Sequence, residues 1–195
     1  MEARLIYLFV FILLLAIAII LQKSFCFICD ASTATPKPYS YSRVQLVWWT
    51  FIILASIIAT ILASAQIPKL DESTLILLGI GSITTIAAKT IDISDDANQT
   101  PTSPVLSKNE PSQGFWLDIL SDKSGVSIHR FQAMVFNLVF GAWFIYQTVL
   151  HLKGIGSNTP MDAINKIIPP IETSNLVLLG ISAGTYAALK TTENK

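Results

Sequence analysis

The chain alternates between long, uncharged apolar stretches and shorter polar ones. Leu5 to Leu21 is an unbroken apolar run of 17 residues, close to the roughly 20 that a helix needs to cross a bilayer. Residues 44–65 and 131–150 carry no formal charge and are also long enough to cross. Residues 75–88 and 175–190 are shorter and mainly apolar. The pattern predicts an all-α integral membrane protein with about five transmembrane helices.

The sequence contains two copies of one predicted helical hairpin. Between 67–90 and 168–191, half of the 24 positions are identical at a constant offset of 101. Each copy opens with Ser-x-x-Arg-x-Gln, and these openings match at an offset of 87. We predict a parallel internal duplication behind an N-terminal span. The predicted divisions are an N-terminal transmembrane helix (1–30), a linker (31–43), a first hairpin (44–90), a polar cytoplasmic linker with a short interfacial helix (91–126) and a second hairpin (127–191).

The shorter stretches leave one alternative open. Residues 75–88 number only 14, a length that suits a re-entrant segment as well as a crossing. Extended to 73–90, the stretch would reach about 27 Å as a helix that rises 1.5 Å per residue. We predict a crossing. Two crossings per copy make the repeats parallel, whereas one crossing with a re-entrant segment would make them inverted.

Composition supports the membrane class. Hydrophobic residues make up 52% of the chain and charged residues 13%, whereas soluble domains carry about 25% charged residues. The formal net charge is zero and no Lys/Arg cluster marks a helix face, so nucleic acid is not an expected partner. The expected partner is the lipid bilayer. No cofactor is expected, and two cysteines cannot make a four-ligand metal site.

The N-terminal stretch has a second interpretation. Arg4 and the small residues 32–34 resemble parts of a cleaved signal peptide, although the apolar run is long for one. Just after this run, Cys26 and Cys29 form a Cys-x-x-Cys motif. A redox role for such a motif is expected near a βαβ pattern, which the sequence lacks. We therefore expect juxtamembrane thiols without a catalytic role, open to acylation.

Small and polar side chains recur at helical spacing on three predicted helices. In lipid, no hydrophobic drive holds helices together, so close approach and interhelical hydrogen bonds must supply the adhesion. A pore lined by the hydroxyl groups is the alternative. The residues predicted for helix packing or oligomerisation are Ser56, Thr60, Ser64, Asn137, Gly141, Thr148, Gly180, Gly184 and Ala188.

Basic and aromatic residues near the predicted helix ends are typical of a membrane interface. Arg43 and Arg130 hold the same place in the two copies. Each would extend its charge to the headgroups, or would bind a lipid phosphate or a partner's carboxylate. The residues predicted as interfacial anchors or as partner and lipid contacts are Arg43, Gln45, Trp48, Trp49, Trp116, Arg130 and Gln132.

The basic residues also predict an orientation. If both hairpins cross twice, nine basic residues lie on one side and four on the other, and the richer side should be cytoplasmic. We expect a multi-pass protein of the cytoplasmic (inner) membrane, with its N-terminus outside and its C-terminus in the cytoplasm. The richer side holds Lys23, Lys37, Arg43, Lys89, Lys108, Lys123, Arg130, Lys190 and Lys195, and the other holds Arg4, Lys69, Lys153 and Lys166.

Three motifs carry a resemblance. They are the repeated Ser-x-x-Arg-x-Gln, Leu-Leu-Gly-Ile-Ser-Ala-Gly-Thr-Tyr at 178–186, and Phe-Trp-Leu-Asp-Ile-Leu-Ser-Asp at 115–122. The chain resembles, over roughly residues 40–191, a family of small uncharacterised prokaryotic membrane proteins with this duplicated hairpin. The resemblance implies an architecture and no activity. The first copy departs from it at 81–85.

Catalysis has little support in the sequence. His129 and His151 would lie about 33 Å apart along one predicted helix, and no catalytic triad or phosphate loop can be assembled. We hypothesise a non-enzymatic scaffold or anchor that self-associates as a homo-oligomer, or that tethers a larger membrane or cytoplasmic assembly through the linker. The alternative hypothesis is an oligomeric channel or pore-forming effector lined by small hydroxyl residues.

Overall fold

A computed structural model describes residues 2–100, 107–122 and 125–191. This part of the chain is mainly helical, as predicted. A 3-10 turn (Ser107–Asn109) and a two-stranded antiparallel ribbon, which the sequence did not predict, lie in the linker. The remaining elements are α1 (Ala3–Phe25), α2 (Tyr41–Ser64), α3 (Glu72–Ala97), α4 (Phe115–Leu120), β1 (Ser121–Asp122), β2 (Gly125–Val126), α5 (Ile128–His151), α6 (Met161–Ile164) and α7 (Thr173–Lys190).

Among the described residues, four helices are long and apolar enough to cross a membrane, namely α1, α2, α3 and α5. This agrees with the predicted membrane class. Helix α7 is shorter, with 18 residues, and has Asn175 near its start and Lys190 at its end. A fifth span formed by α7 therefore stays a prediction. Helix α3 is a single continuous helix of 26 residues, so no turn interrupts 75–88.

The segment predicted as a polar linker (91–126) begins as part of a helix. Residues 92–97 continue α3, because Asp92 and Asp96 form ion pairs with Lys190 and Lys108. These pairs offset the unfavourable effect of acids at a helix C-terminus. Residues 107–114 are also folded, whereas 101–106 lie outside the described residues.

Helix α2 lies at the centre of the helix packing. It packs against α1, α3 and α5, and α7 packs against both α3 and α5. Helices α2, α3, α7 and α5 thus form a four-helix bundle, with α1 attached to α2. The main buried cluster of this bundle consists of Trp49, Ile52, Ile53, Leu77, Phe144, Ile168, Ile171, Leu176 and Leu179.

Equivalent ends of the two hairpins lie side by side. The backbone N–H of Ile171, before α7, donates to Ser73 Oγ at the start of α3 at 3.0 Å, while Lys190 and Asp92 meet at the other ends of these helices. Helices α3 and α7 therefore run parallel. Helices α2 and α5 also run parallel, since Gln45 bonds Asn137 within their first halves and Gln66 bonds Thr159 beyond their ends.

The connections at the end of the bundle that holds the start of α3 are short and well bonded. Asp71 caps α3 by accepting the backbone N–H of Ser73 at 2.9 Å, and the hydrogen bonds from Ser73 hold the pKa of Asp71 below its ordinary value. A short surface helix, α6 (Met161–Ile164), lies in the second of these connections. We call this end, formed by 65–71 and 152–172, the loop end.

Candidate functional site

Two segments fold together over the opposite end of the bundle. The backbone N–H of Tyr39 donates to Asp118 Oδ2 at 3.1 Å, and Ser112 N–H donates to the Pro36 carbonyl at 3.0 Å. Ile119 of α4 is 2% exposed, because it packs onto the helix ends. We call this unit, formed by 26–40 and by 107–122 with 125–127, the cap.

The cap and the helix ends enclose an open cavity of about 330 Å³. This volume lies at the lower limit of small-ligand sites. Charged side chains of both signs and three tyrosines line it. The described lining residues are Asp30, Pro38, Tyr39, Tyr41, Lys108, Glu110, Pro111, Gln113, Leu117, Asp118, Ser121, Asp122, Gly125, Val126, Arg130, Tyr186 and Lys190.

A buried ion pair lies at the floor of the cavity. Lys190 Nζ is 3.1 Å from Asp92 Oδ1, and both residues are 4% exposed. Asp30, from the cap, approaches the same ammonium group at 3.8 Å. Buried charges are stable only when paired, so the three residues tie α3, α7 and the cap together.

Lys108 makes a second attachment between the linker and α3. Its ammonium group lies 2.6 Å from Asp96 Oδ2 and donates to the Asp92 carbonyl at 3.3 Å. Although it is a lysine, it is 5% exposed. The linker thus folds back on the helix from which it leaves.

The repeated arginines bind chain segments that precede their own helices. Arg43 donates to the Phe27 carbonyl at 3.3 Å, and Arg130 donates to the Ser121 carbonyl. The Arg130 guanidinium also lies 5.3 Å from the centre of the Tyr186 ring. Both side chains therefore hold the cap against the bundle, and Arg130 also faces the cavity.

Asn137 gathers the polar contacts inside the bundle. It is 6% exposed, and each of its polar groups has a partner on α2 or on its own helix. The Oδ1 atom accepts from Trp49 (2.6 Å) and Gln45 (3.3 Å), Nδ2 donates to Ala133 O (2.7 Å) and Tyr41 Oη (3.2 Å), and the backbone carbonyl accepts from Trp48 (3.1 Å).

These contacts change the interpretation of three residues predicted at the interface. Trp49 and Gln45 are buried within the bundle, because Asn137 offers a partner for their polar groups. Trp48 is half-buried and packs against Gly141, where a Cβ atom would lie 2.5 Å from the indole nitrogen. Gln132, which matches Gln45 in the second copy, is exposed.

The hydroxyl residues predicted to lie on one face of α2 are inside the protein. Ser56, Thr60 and Ser64 are at most 1% exposed, and each hydroxyl donates to the carbonyl four residues earlier. Ala55 and Ala59 on the same helix pack with residues of α1. The small side chains thus allow α1 to approach α2 closely. Thr148 of α5 is also fully buried.

The small residues of α7 are placed differently. Gly184 and Ala188 are exposed, while Gly180 is half-buried, with Ile80 3.8 Å from the position of a Cβ atom. The face of α7 that packs in the bundle consists of Leu176, Leu179, Ala183, Tyr186 and Lys190.

Helix α4 has the short length predicted for an interfacial segment. Trp116 is 61% exposed and Leu117 is 46% exposed, so both present apolar surface at the cap. Phe115 packs edge-on against Tyr39 and Trp116.

The prediction of free thiols at Cys26 and Cys29 is wrong. The two residues form a disulfide, with their Cα atoms 5.3 Å apart. Cys26 takes a left-handed conformation at the end of α1, and this turn brings Cys29 back beside it. The Cys-x-x-Cys spacing, which suggested a redox motif, was the sequence signal that could have predicted this disulfide.

The charged residues at the cavity floor were not predicted as a site. Asp92 lay in a segment interpreted as a linker, and Lys190 was counted only for orientation. The repetition of a lysine at 89 and 190 was a visible signal, but only the second is buried. Within the described ranges, no group of three or more His, Cys, Asp and Glu side chains could hold a metal ion.

Comparisons with protein-family models, with curated proteins and with solved structures found no match for this chain.

Proposed function

We propose that the protein is a non-enzymatic membrane anchor whose cap docks a protein partner. The observation that carries this proposal is the folded cap itself, a linker segment fixed to the helix ends around a charged cavity. A linker that served only to join two hairpins would not need the ion pairs that hold the cap, Lys108 with Asp96 and Asp30 with Lys190. Their presence favours a surface of defined shape.

The chemistry of the cap favours docking over catalysis. The described lining of the cavity includes charged residues and tyrosines but no histidine or cysteine. Several of its charges are already used within the protein, as in the bonds of Asp118 to Tyr39 and Ser112. Beside the cavity, Leu117 and Trp116 expose apolar surface, and Glu110 adds an exposed charge. Apolar residues surrounded by polar ones are typical of protein interfaces.

The duplicated architecture also belongs to this proposal. The parallel course of α3 with α7 and of α2 with α5 supports parallel repeats, as does the constant offset in sequence. If α7 crosses together with α1, α2, α3 and α5, the protein has five spans. The resemblance to small prokaryotic membrane proteins with such hairpins would follow from the same architecture.

A pull-down from native membranes tests the docking proposal. The tagged full-length protein is cross-linked in membranes, purified and analysed by mass spectrometry, alongside Leu117→Glu and Met161→Glu variants. Met161 is a matched control, because it is 47% exposed at the loop end, against 46% for Leu117 at the cap. The docking proposal predicts that Leu117→Glu reduces recovery of the main partner at least tenfold and that Met161→Glu leaves it unchanged.

Two results would contradict the proposal. Equal recovery of the partner with both variants would remove the cap from the interface. Recovery of no cross-linked species, neither a partner nor a second copy, would argue against an anchor. If the captured species is a second copy joined through the cap, the anchor is a homo-oligomer.

The positions of the hydroxyl residues of α2 do not support the channel alternative. Ser56 and Thr60 are fully buried within one chain, and their hydroxyls are bonded to their own helix. A pore lined by them would require α1 to leave α2. Conductance of the reconstituted protein that Ser56→Leu with Thr60→Leu abolishes would favour the channel instead.

A further inference from the structure

We propose that Cys26 and Cys29 form a redox site that exchanges electrons with the dithiol or disulfide of another protein. The disulfide lies at the junction between α1 and the cap. This inference is independent of the docking proposal, since Cys26 and Cys29 do not line the cavity and the chemistry is different.

The two sulfur atoms differ in accessibility. Cys26 is half-buried, whereas Cys29 is 1% exposed. An incoming thiolate can therefore reach Cys26 and not Cys29. In thiol–disulfide exchange, one sulfur must be open to attack while the other acts as the leaving group. The structure supplies this asymmetry.

A single amide group serves both sulfurs. Gln22 Nε2 lies 3.1 Å from Cys29 Sγ and 3.5 Å from Cys26 Sγ. Its Oε1 accepts the backbone N–H of Ile28 at 3.1 Å, which orients the amide so that its donors face the sulfurs. A hydrogen bond to a departing thiolate is charge-assisted and therefore stronger than one to a neutral thiol.

The surrounding loop is held in place without the disulfide. The Ser40 N–H donates to the Ile28 carbonyl at 2.8 Å, and the Asp30 N–H donates to the Pro38 carbonyl at 2.9 Å. Arg43 donates to the carbonyl of Phe27, between the two cysteines. Reduction would therefore leave the two thiols adjacent, ready to close again.

A purely structural role explains less of this arrangement. A disulfide stabilises a fold mainly by closing a loop, and the benefit grows with loop length. The loop here spans only Cys26 to Cys29, a sequence separation of 3. If the cap faces the cytoplasm, as the basic residues predict, a disulfide there is more typical of a transient, redox-active pair than of a permanent link.

Exchange with a partner dithiol proceeds in two steps. One thiolate of a partner dithiol attacks Cys26 Sγ, a bond forms between these sulfurs, and Cys29 leaves as a thiolate that accepts from Gln22. The partner's second thiolate then attacks the partner's first sulfur, which is bonded to Cys26 Sγ in the mixed disulfide, and Cys26 leaves as a thiolate. The partner is oxidised to a disulfide, and Cys26 and Cys29 gain its two electrons and two protons. A protein disulfide reverses the sequence.

Exchange with small thiol reagents tests the site in the full-length protein in detergent. The oxidised protein is treated with dithiothreitol, and free thiols are counted by a maleimide gel shift while circular dichroism follows the fold. We expect reduction without unfolding, followed by reoxidation with glutathione disulfide. A disulfide that opens only when the helices melt would overturn the proposal.

Single-cysteine variants test the predicted roles. With glutathione disulfide as the probe, Cys29→Ser should form a mixed disulfide at Cys26 at least tenfold faster than Cys26→Ser forms one at Cys29. Equal rates would overturn the assignment of the attacked sulfur. Both variants need a native circular dichroism spectrum, and the wild-type experiment tests the proposal without any substitution.

Gln22 has a separate test. Replacement by Leu should slow reduction of the disulfide about tenfold, since a hydrogen bond to a charged group is worth about that factor or more. It should also move the pH profile of Cys26 alkylation, measured in the Cys29→Ser protein, toward higher pH. Gln132→Leu, at an exposed position, is the control. Unchanged rate and pH profile in Gln22→Leu would remove the amide from the mechanism.

Discussion

Asn137 provides the polar link between α2 and α5. Inside a membrane bundle a polar side chain is stable only if its donors and acceptors are paired, and Asn137 meets this condition with Trp49, Gln45 and Tyr41. The sequence predicted that Asn137 would bond across to a neighbouring helix. It did not predict which residues it would meet, because Trp49 and Gln45 also suited the membrane interface.

Replacing Asn137 by Leu should destabilise the protein by about 2 kcal/mol, because the Trp49 indole and the Gln45 amide would lose a buried partner. Unfolding in detergent, followed by circular dichroism with increasing dodecyl sulfate, measures the change. The control is Gln132→Leu, at an exposed position of the same helix. A loss below about 0.5 kcal/mol would show that the network contributes little, as some interhelical bonds do.

Gly141 is required by the ring of Trp48. Any Cβ atom at 141 would lie 2.5 Å from the indole nitrogen, so Gly141→Ala should force the two helices apart and cost about 2 kcal/mol. Gly184→Ala is the matched control, since its Cβ atom would meet nothing within 4 Å. The same dodecyl sulfate titration distinguishes them. Equal effects of the two changes would contradict the close approach of α2 and α5.

At the scale of the elements, the ion pair of α3 and α7 breaks the symmetry of the repeats. Lys89 and Lys190 match in sequence, yet Lys89 is exposed and Lys190 is buried against Asp92. The environment of a side chain at a helix end depends on which chain segment covers it. The cap covers α7 at this position, and no local pattern reveals that.

Lys190→Met should destabilise the protein by about 3 kcal/mol, because Asp92 would remain buried without its cation. Lys89→Met, at the equivalent position of the first hairpin, should have an effect near zero. Adding Asp92→Asn to Lys190→Met should recover part of the loss, since no buried charge would then be unpaired. Failure of this rescue in a double-mutant comparison would argue that the pair is not the main bond between α3 and α7.

The helices were predictable because their apolar stretches are long and bounded by polar segments. The predicted stretches 44–65 and 131–150 lie close to α2 and α5 as observed. The end of α3 was missed by several residues, because its last turns are polar and depend on contacts with Lys108 and Lys190. The cap was missed for the same reason: its stability comes from contacts between distant segments, which periodicity does not record.

At the scale of the whole molecule, the basic residues and the disulfide bear on the same question of orientation. The cap side is predicted to face the cytoplasm, so Gln113→Cys in a Cys26→Ser/Cys29→Ser background should resist a membrane-impermeant maleimide in intact cells. Met161→Cys, at the loop end, should be labelled. Both residues are exposed. The reverse labelling pattern would place the cap in an oxidising compartment, where a stable disulfide is common.

Site-specific photo-cross-linking tests directly whether the cap is a docking surface held at the membrane. A benzophenone amino acid is introduced at Leu117 in the cap or at Met161 at the loop end, and native membranes are irradiated. We expect a discrete adduct from position 117, either with one partner or with a second copy, and none from position 161. No adduct at 117, or the same adducts from both positions, would contradict it.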